Sequence, residues 1–120
     1  MRAYLPLTWA QLRTLEAAGH LEGPLRACAV DPAWRAGSPE VDEEQWEFEA
    51  QACAAEDLAG PEAGVVLAVD VEQPEGPLED GWFTTGSLQR AQSSALLTAD
   101  LAWYGMQEVA ALLAQAQAQG

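Results

Sequence analysis

The sequence predicts an α+β fold, because segments with helical periodicity alternate with short apolar segments rich in strand-forming residues. The predicted helices are 8–19, 40–59 and 101–118. The predicted strands, about four in number, are 3–7, 25–30, 64–71 and 82–85. Since strands and helices alternate, we expect a mixed sheet with right-handed crossovers. The 120 residues fit one domain covering 1–120.

The first two elements are predicted by a proline and by a pair of capping residues. Pro6 lacks a backbone N–H, so we expect the strand 3–7 to lie at a sheet edge, or Pro6 to lie at a strand end. Thr8, followed three residues later by Gln11, has the pattern of a capping box that begins a helix. Gly19 then has the residue type that ends one.

The central helix has two candidate starts, Ser38-Pro39 and Asp42 with Gln45, and Gly60-Pro61 is expected to end it. Apolar residues on two of its sides indicate a helix between a sheet and another layer. We expect a large aromatic on it, Trp46, to be buried. The acids Asp42, Glu49 and Glu56 recur every seven residues and are expected to share an exposed side.

The rest of the chain contains one clear strand and several segments with weaker patterns. The nearly unbroken apolar run 64–71 predicts a central strand that is covered on both faces, with Leu67 and Val69 buried. We expect loops at 31–39 and 72–81, whereas 86–98 has no clear pattern. At the end of the chain, Asp100 is the expected cap of a helix in which Trp103 is buried, although 101–104 also fits a terminal strand.

The charge is concentrated in the middle of the chain. Fourteen of the nineteen acidic residues lie between 36 and 89, a window without any basic residue, and the formal net charge is −14. Such a field repels nucleic acid and anionic membranes and attracts basic proteins. We therefore predict a basic protein partner, no nucleic acid and no membrane. Ordinary solubility explains the same charge, and the sequence leaves self-association open.

Composition predicts a cytoplasmic location and no cofactor. The amino terminus lacks the apolar stretch of a secretory signal, and no apolar run approaches the length of a membrane span. Cys28 and Cys53 lack disulfide-scaffold spacing, so we interpret both as small, reduced, apolar residues. The single histidine makes a poor metal site. The absence of Lys, Asn and Ile indicates a GC-rich genome.

No motif requires a particular chemistry, and candidate binding residues fall into two groups. The first is on the central helix: Asp42, Trp46, Glu47, Glu49 and Glu56. The second is near the carboxyl terminus: Trp103, Tyr104, Gln107 and Glu108. We favour a non-catalytic interaction or regulatory protein that uses the acidic middle. The alternative is a small enzyme or ligand-binding domain in which Glu108, beside aromatic rings, acts as an acid or base.

A third hypothesis is an acidic mimic of nucleic acid. Carboxylates seven helical residues apart are separated by about 10.5 Å, whereas phosphates along one DNA strand are about 3.4 Å apart. The helical stripe alone is therefore too sparse, and mimicry requires the additional acids of 72–80.

Three segments carry a resemblance to a family. They are the opening MRAYLPLT, the helix EEQWEFEAQACAA and the ending LAWYGMQEV. Together they resemble an uncharacterised family of small acidic proteins, mostly from actinobacteria, with a Glu-rich helix and a closing Trp-Tyr-x-x-Gln-Glu motif. This chain is shorter than the family between 85 and 100. The resemblance implies no activity.

Overall fold

The computed structural model describes residues 2–56, 64–71, 78–98 and 102–119, the last four by their backbone. The described helices are α1 (Trp9–Ala18), α2 (Pro32–Gly37), α3 (Glu43–Glu56) and α4 (Val109–Gln119). The described strands are β1 (Arg2–Thr8), β2 (His20–Leu21), β3 (Leu25–Cys28), β4 (Gly64–Asp70), β5 (Trp82–Thr85), β6 (Leu88–Gln89), β7 (Ser93–Thr98) and β8 (Trp103–Gly105). The predicted α+β class is confirmed.

Among the described residues, six strands form one sheet in the order β5-β3-β1-β4-β7-β8, and β2 pairs with β6 separately. All of these pairings are antiparallel, so the predicted mixed sheet with crossovers is wrong. The residues between α1 and β3, which include β2, bring the chain back so that β3 runs against β1, with Tyr4 opposite Cys28. The alternation of helices and strands along a sequence does not by itself fix strand direction.

The predicted count of four strands is too low. The segment without a clear pattern, 86–98, contains β6, a 3-10 turn and β7, and β7 pairs with β4 along most of its length. The ladder to a central strand stabilises β7 although its own composition is half polar. The position of 64–71 was predicted correctly, because β4 lies between β1 and β7.

Pro6 does not place β1 at an edge or itself at a strand end. β1 lies between β3 and β4, and its pairing with β4 continues from Arg2 to Thr8, with Pro6 opposite Val66. Successive residues of an antiparallel strand direct their N–H groups to opposite neighbours. The register with β3 pairs Tyr4 with Cys28, and Pro6 lies two residues beyond that pair.

Each face of the sheet has its own apolar cluster, because side chains alternate along a strand. We call the first the leucine face: it joins the odd-numbered residues of β1, β3 and β4 to Leu12 and Leu15 of α1 and to Val109 and Leu112 of α4. We call the second the small-residue face: Tyr4, Cys28, Val66, Ala68 and Leu97 lie there with Ala50 and Ala54 of α3. β4 is therefore covered on both faces, as predicted.

The segment 31–39, predicted as a loop, contains the short helix α2. Asp31 is its cap, and its Oδ1 accepts a hydrogen bond of 2.9 Å from the backbone N–H of Ala33. Pro32 occupies the first turn, where proline's missing N–H has no cost. Trp34 of α2 packs partly buried against the small-residue face.

The predicted helix 101–118 is wrong over its first half. Its residues form β8, which pairs with β7, then a 3-10 turn at Met106–Glu108, and only then α4. The alternative of a terminal strand is correct for Trp103 and Tyr104. Gly105, the last residue of β8, has an extended backbone with φ −77° and ψ 161°, and the 3-10 turn begins at the next residue. The expected cap Asp100 and the expected helix end at Gly60-Pro61 lie outside the described residues.

Candidate functional site

The candidate site is the solvent-exposed side of α3. The opposite side of this helix packs on the sheet and fixes its orientation. Asp42 is the cap: its Oδ1 accepts a 2.9 Å hydrogen bond from the backbone N–H of Gln45, so the second of the two predicted starts is correct. Ala50 and Ala54 have no exposed surface and pack on the small-residue face. Their small side chains bring α3 close to β1, β3 and β4.

Three predicted site residues lie on the exposed side of α3. Asp42, Glu49 and Glu56 are all exposed, which confirms their expected exposure. The amide of Gln45 donates to Glu49 Oε1 at 3.2 Å, which helps to hold that carboxylate on the helix surface. Phe48 is 60 % exposed and lies about 100° around the helix from Glu49. We call Asp42, Phe48, Glu49 and Glu56 the acidic face of α3.

Trp46 is not buried as predicted. It is half-buried, and its ring centroid lies 6.1 Å from that of Trp34 with an interplanar angle of 30°. The small-residue face has too few large side chains to enclose both indoles, so each keeps an exposed part. Next to them, Arg35 of α2 forms an ion pair with Glu43. This pair compensates one charge of the acidic middle from just outside the window that lacks basic residues.

Glu47 points toward the sheet rather than to the acidic face. The hydroxyl of Tyr4 donates a 2.8 Å hydrogen bond to Glu47 Oε2, and the amide of Gln51 donates to the same hydroxyl at 3.5 Å. Burial raises the pKa of Tyr4 to about 12, and the nearby Glu47 adds to that rise while Gln51 opposes it. The tyrosine therefore stays neutral and links β1 to α3.

The carboxyl-terminal group is not assembled as predicted, because its members do not share a helix. Trp103 is 47 % exposed, so its predicted burial is wrong, and Tyr104 packs partly buried at the leucine face. Glu108 Oε2 accepts a 2.9 Å hydrogen bond from the backbone N–H of Gly105, so it fastens the 3-10 turn. Gln107 is exposed, with its amide beside Gly105.

The two predicted groups lie in different parts of the fold. α3 packs against β1, β3 and β4, whereas Trp103 and Tyr104 lie on β8, an edge strand beyond β7. The hydrogen bond to Gly105 gives Glu108 a structural role in the 3-10 turn. The geometry therefore offers less support to a general acid at Glu108 than to a surface on α3.

Sequence reasoning did not identify two contacts around the small-residue face. Cys28 Sγ and Cys53 Sγ lie 2.7 Å apart. The guanidinium of Arg26 lies 4.1 Å from the ring centroid of Trp82, a cation–π contact. Alternation along β1 and β3 places Tyr4 and Cys28 on one face and could have been used. The partners that α3 and β5 bring to them depend on tertiary packing.

The buried Asp31 is another such arrangement. Its Oδ1 caps α2, and its Oδ2 accepts a 3.3 Å hydrogen bond from the backbone N–H of Gly81. Gly81 has a φ of +86°, and a Cβ there would meet the ring of Trp34. The carboxylate thus joins α2 to the turn that precedes β5.

Within the described residues, no three His, Cys, Asp or Glu side chains are grouped so as to hold a metal ion. Nor does any helix in that part of the chain have the length and apolar character needed to cross a membrane. Of the acids that nucleic-acid mimicry requires, those at 72–77 lie outside the described residues.

Comparison with known proteins gives a family and no activity. No curated protein and no solved structure matches the chain. One family model matches residues 1–82, which extend from β1 to the first residue of β5 and include α3 with its acidic face. The match covers well over half of the 120 residues. The chain therefore belongs to the family of unknown function DUF6912.

Proposed function

We propose that this protein is a non-catalytic interaction or regulatory protein, and that it binds a basic protein partner through the acidic face of α3. One observation carries the proposal: Asp42, Glu49 and Glu56 stay exposed on one side of a helix whose other side is fixed to the sheet. A helix held in this way presents its charges in a fixed arrangement, which lowers the entropy lost on binding.

The spacing of the acids indicates what the partner offers. Carboxylates about 10.5 Å apart match basic side chains that recur every two turns on a second helix. Phe48, more than half exposed beside them, supplies the apolar contact that an interface of charges alone lacks. Charge governs the rate of association and the choice of partner, whereas a buried aromatic provides much of the affinity.

The test is a capture experiment with matched variants. The whole chain is immobilised and exposed to a lysate of a related bacterium at 0.1 M and at 1 M salt. Raising the salt shortens the Debye length from about 10 Å to about 3 Å, so a partner held by charge should be released. The binding of the captured partner to the purified protein is then measured by calorimetry.

Two double variants separate the acidic face from total charge. Glu49→Gln with Glu56→Gln removes two charges from the acidic face, and Glu22→Gln with Asp70→Asn removes two exposed charges elsewhere. We expect at least a tenfold weaker Kd for the first variant and little change for the second. Equal loss in both variants would show that overall charge is sufficient, and a partner that ignores salt would contradict the proposal. A partner displaced by duplex DNA would instead support nucleic-acid mimicry.

A further inference from the structure

The small-residue face contains a pair of cysteines whose arrangement has a chemical consequence. Cys28 belongs to β3 and has no exposed surface, whereas Cys53 belongs to α3 and is half-buried. Their sulfurs are 2.7 Å apart, and a disulfide needs a separation of about 2.05 Å. The remaining ~0.7 Å is a small distance for the rotation of two cysteine side chains to supply.

We propose that Cys28 and Cys53 form an oxidisable dithiol, which a peroxide converts to a disulfide that ties α3 to β3. The half-buried Cys53 is the thiol that a small peroxide can reach, and the buried Cys28 is in position to react second. This assignment does not depend on the proposed partner.

The reaction is balanced in two steps. The Cys53 thiol releases its proton and the sulfur attacks one peroxide oxygen; the O–O bond breaks, Cys53 becomes a sulfenic acid, and the other oxygen leaves as hydroxide, which takes up that proton to form water. The sulfur of Cys28 then attacks Cys53 Sγ, and the S–O bond breaks as the S–S bond forms. The second oxygen leaves as water with the Cys28 proton. Each sulfur loses one electron, and the peroxide takes up both. A dithiol reductant reverses the disulfide.

Two features of the surroundings favour this pairing over other products. The sulfur of Cys28 is enclosed between β3 and α3, so Cys53 is the partner within its reach. An intramolecular reaction between groups held at 2.7 Å has a large advantage over reaction with another chain.

The test uses the whole reduced chain, treated with hydrogen peroxide and then with an alkylating reagent. We expect the intact mass to fall by two hydrogens, and both sulfurs to resist alkylation in guanidinium until dithiothreitol is added. The oxidised protein should also melt higher by roughly 10 °C, because a crosslink closing a loop of about 25 residues restricts the unfolded chain.

Variants keep the test decisive. Cys28→Ser should stop at the Cys53 sulfenic acid, which a dimedone probe captures. If Cys28→Ser fails to fold, Cys53→Ser at the half-buried position leaves one thiol that peroxide should oxidise far more slowly. The proposal is overturned if peroxide-treated folded wild type, once unfolded, still has two alkylatable thiols, if it forms crosslinked dimers, or if it makes the disulfide no faster than the chain unfolded in guanidinium.

Discussion

The two faces of the sheet are packed with different kinds of side chain. The leucine face packs large aliphatic side chains such as Leu5 and Leu67, both without exposed surface, against α1 and α4. The small-residue face packs alanines of α3 against Tyr4, Cys28 and Ala68. The first face provides most of the buried apolar area, and thus most of the hydrophobic stabilisation.

The difference indicates which face of the sheet holds polar and reactive side chains. On the small-residue face the helix is held by close approach, by the hydrogen bond from Tyr4 to Glu47 and by the two tryptophans Trp34 and Trp46. The cysteine pair and the contact of Arg26 with Trp82 also lie on this face. The acidic face also lies on α3, which is the helix that packs on the small-residue face. The following predictions test this division, starting from the largest effect.

Loss of a leucine should cost more on the leucine face. We expect Leu67→Ala to lower the free energy of unfolding by about 4 kcal/mol, because it removes transfer energy and leaves a cavity among fully buried neighbours. Leu97→Ala on the small-residue face should cost about 2.5 kcal/mol, since Leu97 is slightly exposed and its surroundings are thinner. Urea denaturation measures both. A larger loss for Leu97→Ala would contradict the comparison.

Added volume should be tolerated poorly beneath α3. We expect Ala54→Leu to lower the free energy of unfolding by about 2 kcal/mol, because Ala54 has no exposed surface and a larger side chain pushes the helix from the sheet. The control is Ala111→Leu on α4, where the position is exposed and the change should be nearly neutral. Equal melting curves for the two variants would show that α3 is not closely packed.

The half-burial of Trp46 predicts a cost smaller than full burial would. Trp46→Ala should lower the free energy of unfolding by about 1.5 kcal/mol, through lost area and lost contact with Trp34. Phe48→Ala on the same helix should change it by less than about 0.5 kcal/mol, because Phe48 is mostly exposed. A loss above about 3 kcal/mol for Trp46→Ala would show that Trp46 is part of the buried core.

The hydroxyl of Tyr4 should have the smallest effect at neutral pH and a clear signature in alkali. Tyr4→Phe removes the hydrogen bonds to Glu47 and Gln51 and should cost about 1 kcal/mol at pH 7. The pKa of Tyr4 rises from 10.0 to about 12 on folding, so between pH 10 and pH 12 the unfolded chain loses a proton that the folded chain keeps. Stability therefore falls across that range.

Tyr4→Phe should abolish much of this alkaline fall, which amounts to at most about 3 kcal/mol. Tyr104→Phe is the matched control and changes the only other tyrosine of the chain. Unfolding by urea at pH 9.5, 10.5 and 11.5, followed by far-UV circular dichroism, gives the comparison. An unchanged alkaline slope in Tyr4→Phe would remove the link between burial of the hydroxyl and its titration.

Local sequence signals predicted those parts of the fold that depend on neighbouring residues. The capping box of Thr8 and Gln11 and the left-handed Gly19 define α1 as predicted, because these bonds form within a few residues. The apolar run of β4 indicated a strand covered on both faces for a similar reason. The exposure of Asp42, Glu49 and Glu56 followed from their polarity and spacing.

The sequence did not predict the properties that depend on pairing between distant segments. Strand direction, the inclusion of β7 and the central place of β1 despite Pro6 are set by hydrogen-bond ladders whose partners are far apart in the chain. A short strand such as Trp103–Gly105 has helical periodicity in its surroundings, and only the pairing with β7 makes the extended backbone the lower-energy state.

The sequence by itself determined the α+β class, the first helix, the central strand β4 and an acidic helix with three exposed carboxylates. Tertiary structure decided which side chains of α3 meet the sheet: Glu47 meets Tyr4, Cys53 meets Cys28, and Trp46 rests half-buried on Trp34. The physical reason is that polarity and periodicity act within a few residues, whereas a contact between residues 25 or 43 positions apart exists only when the whole sheet has formed.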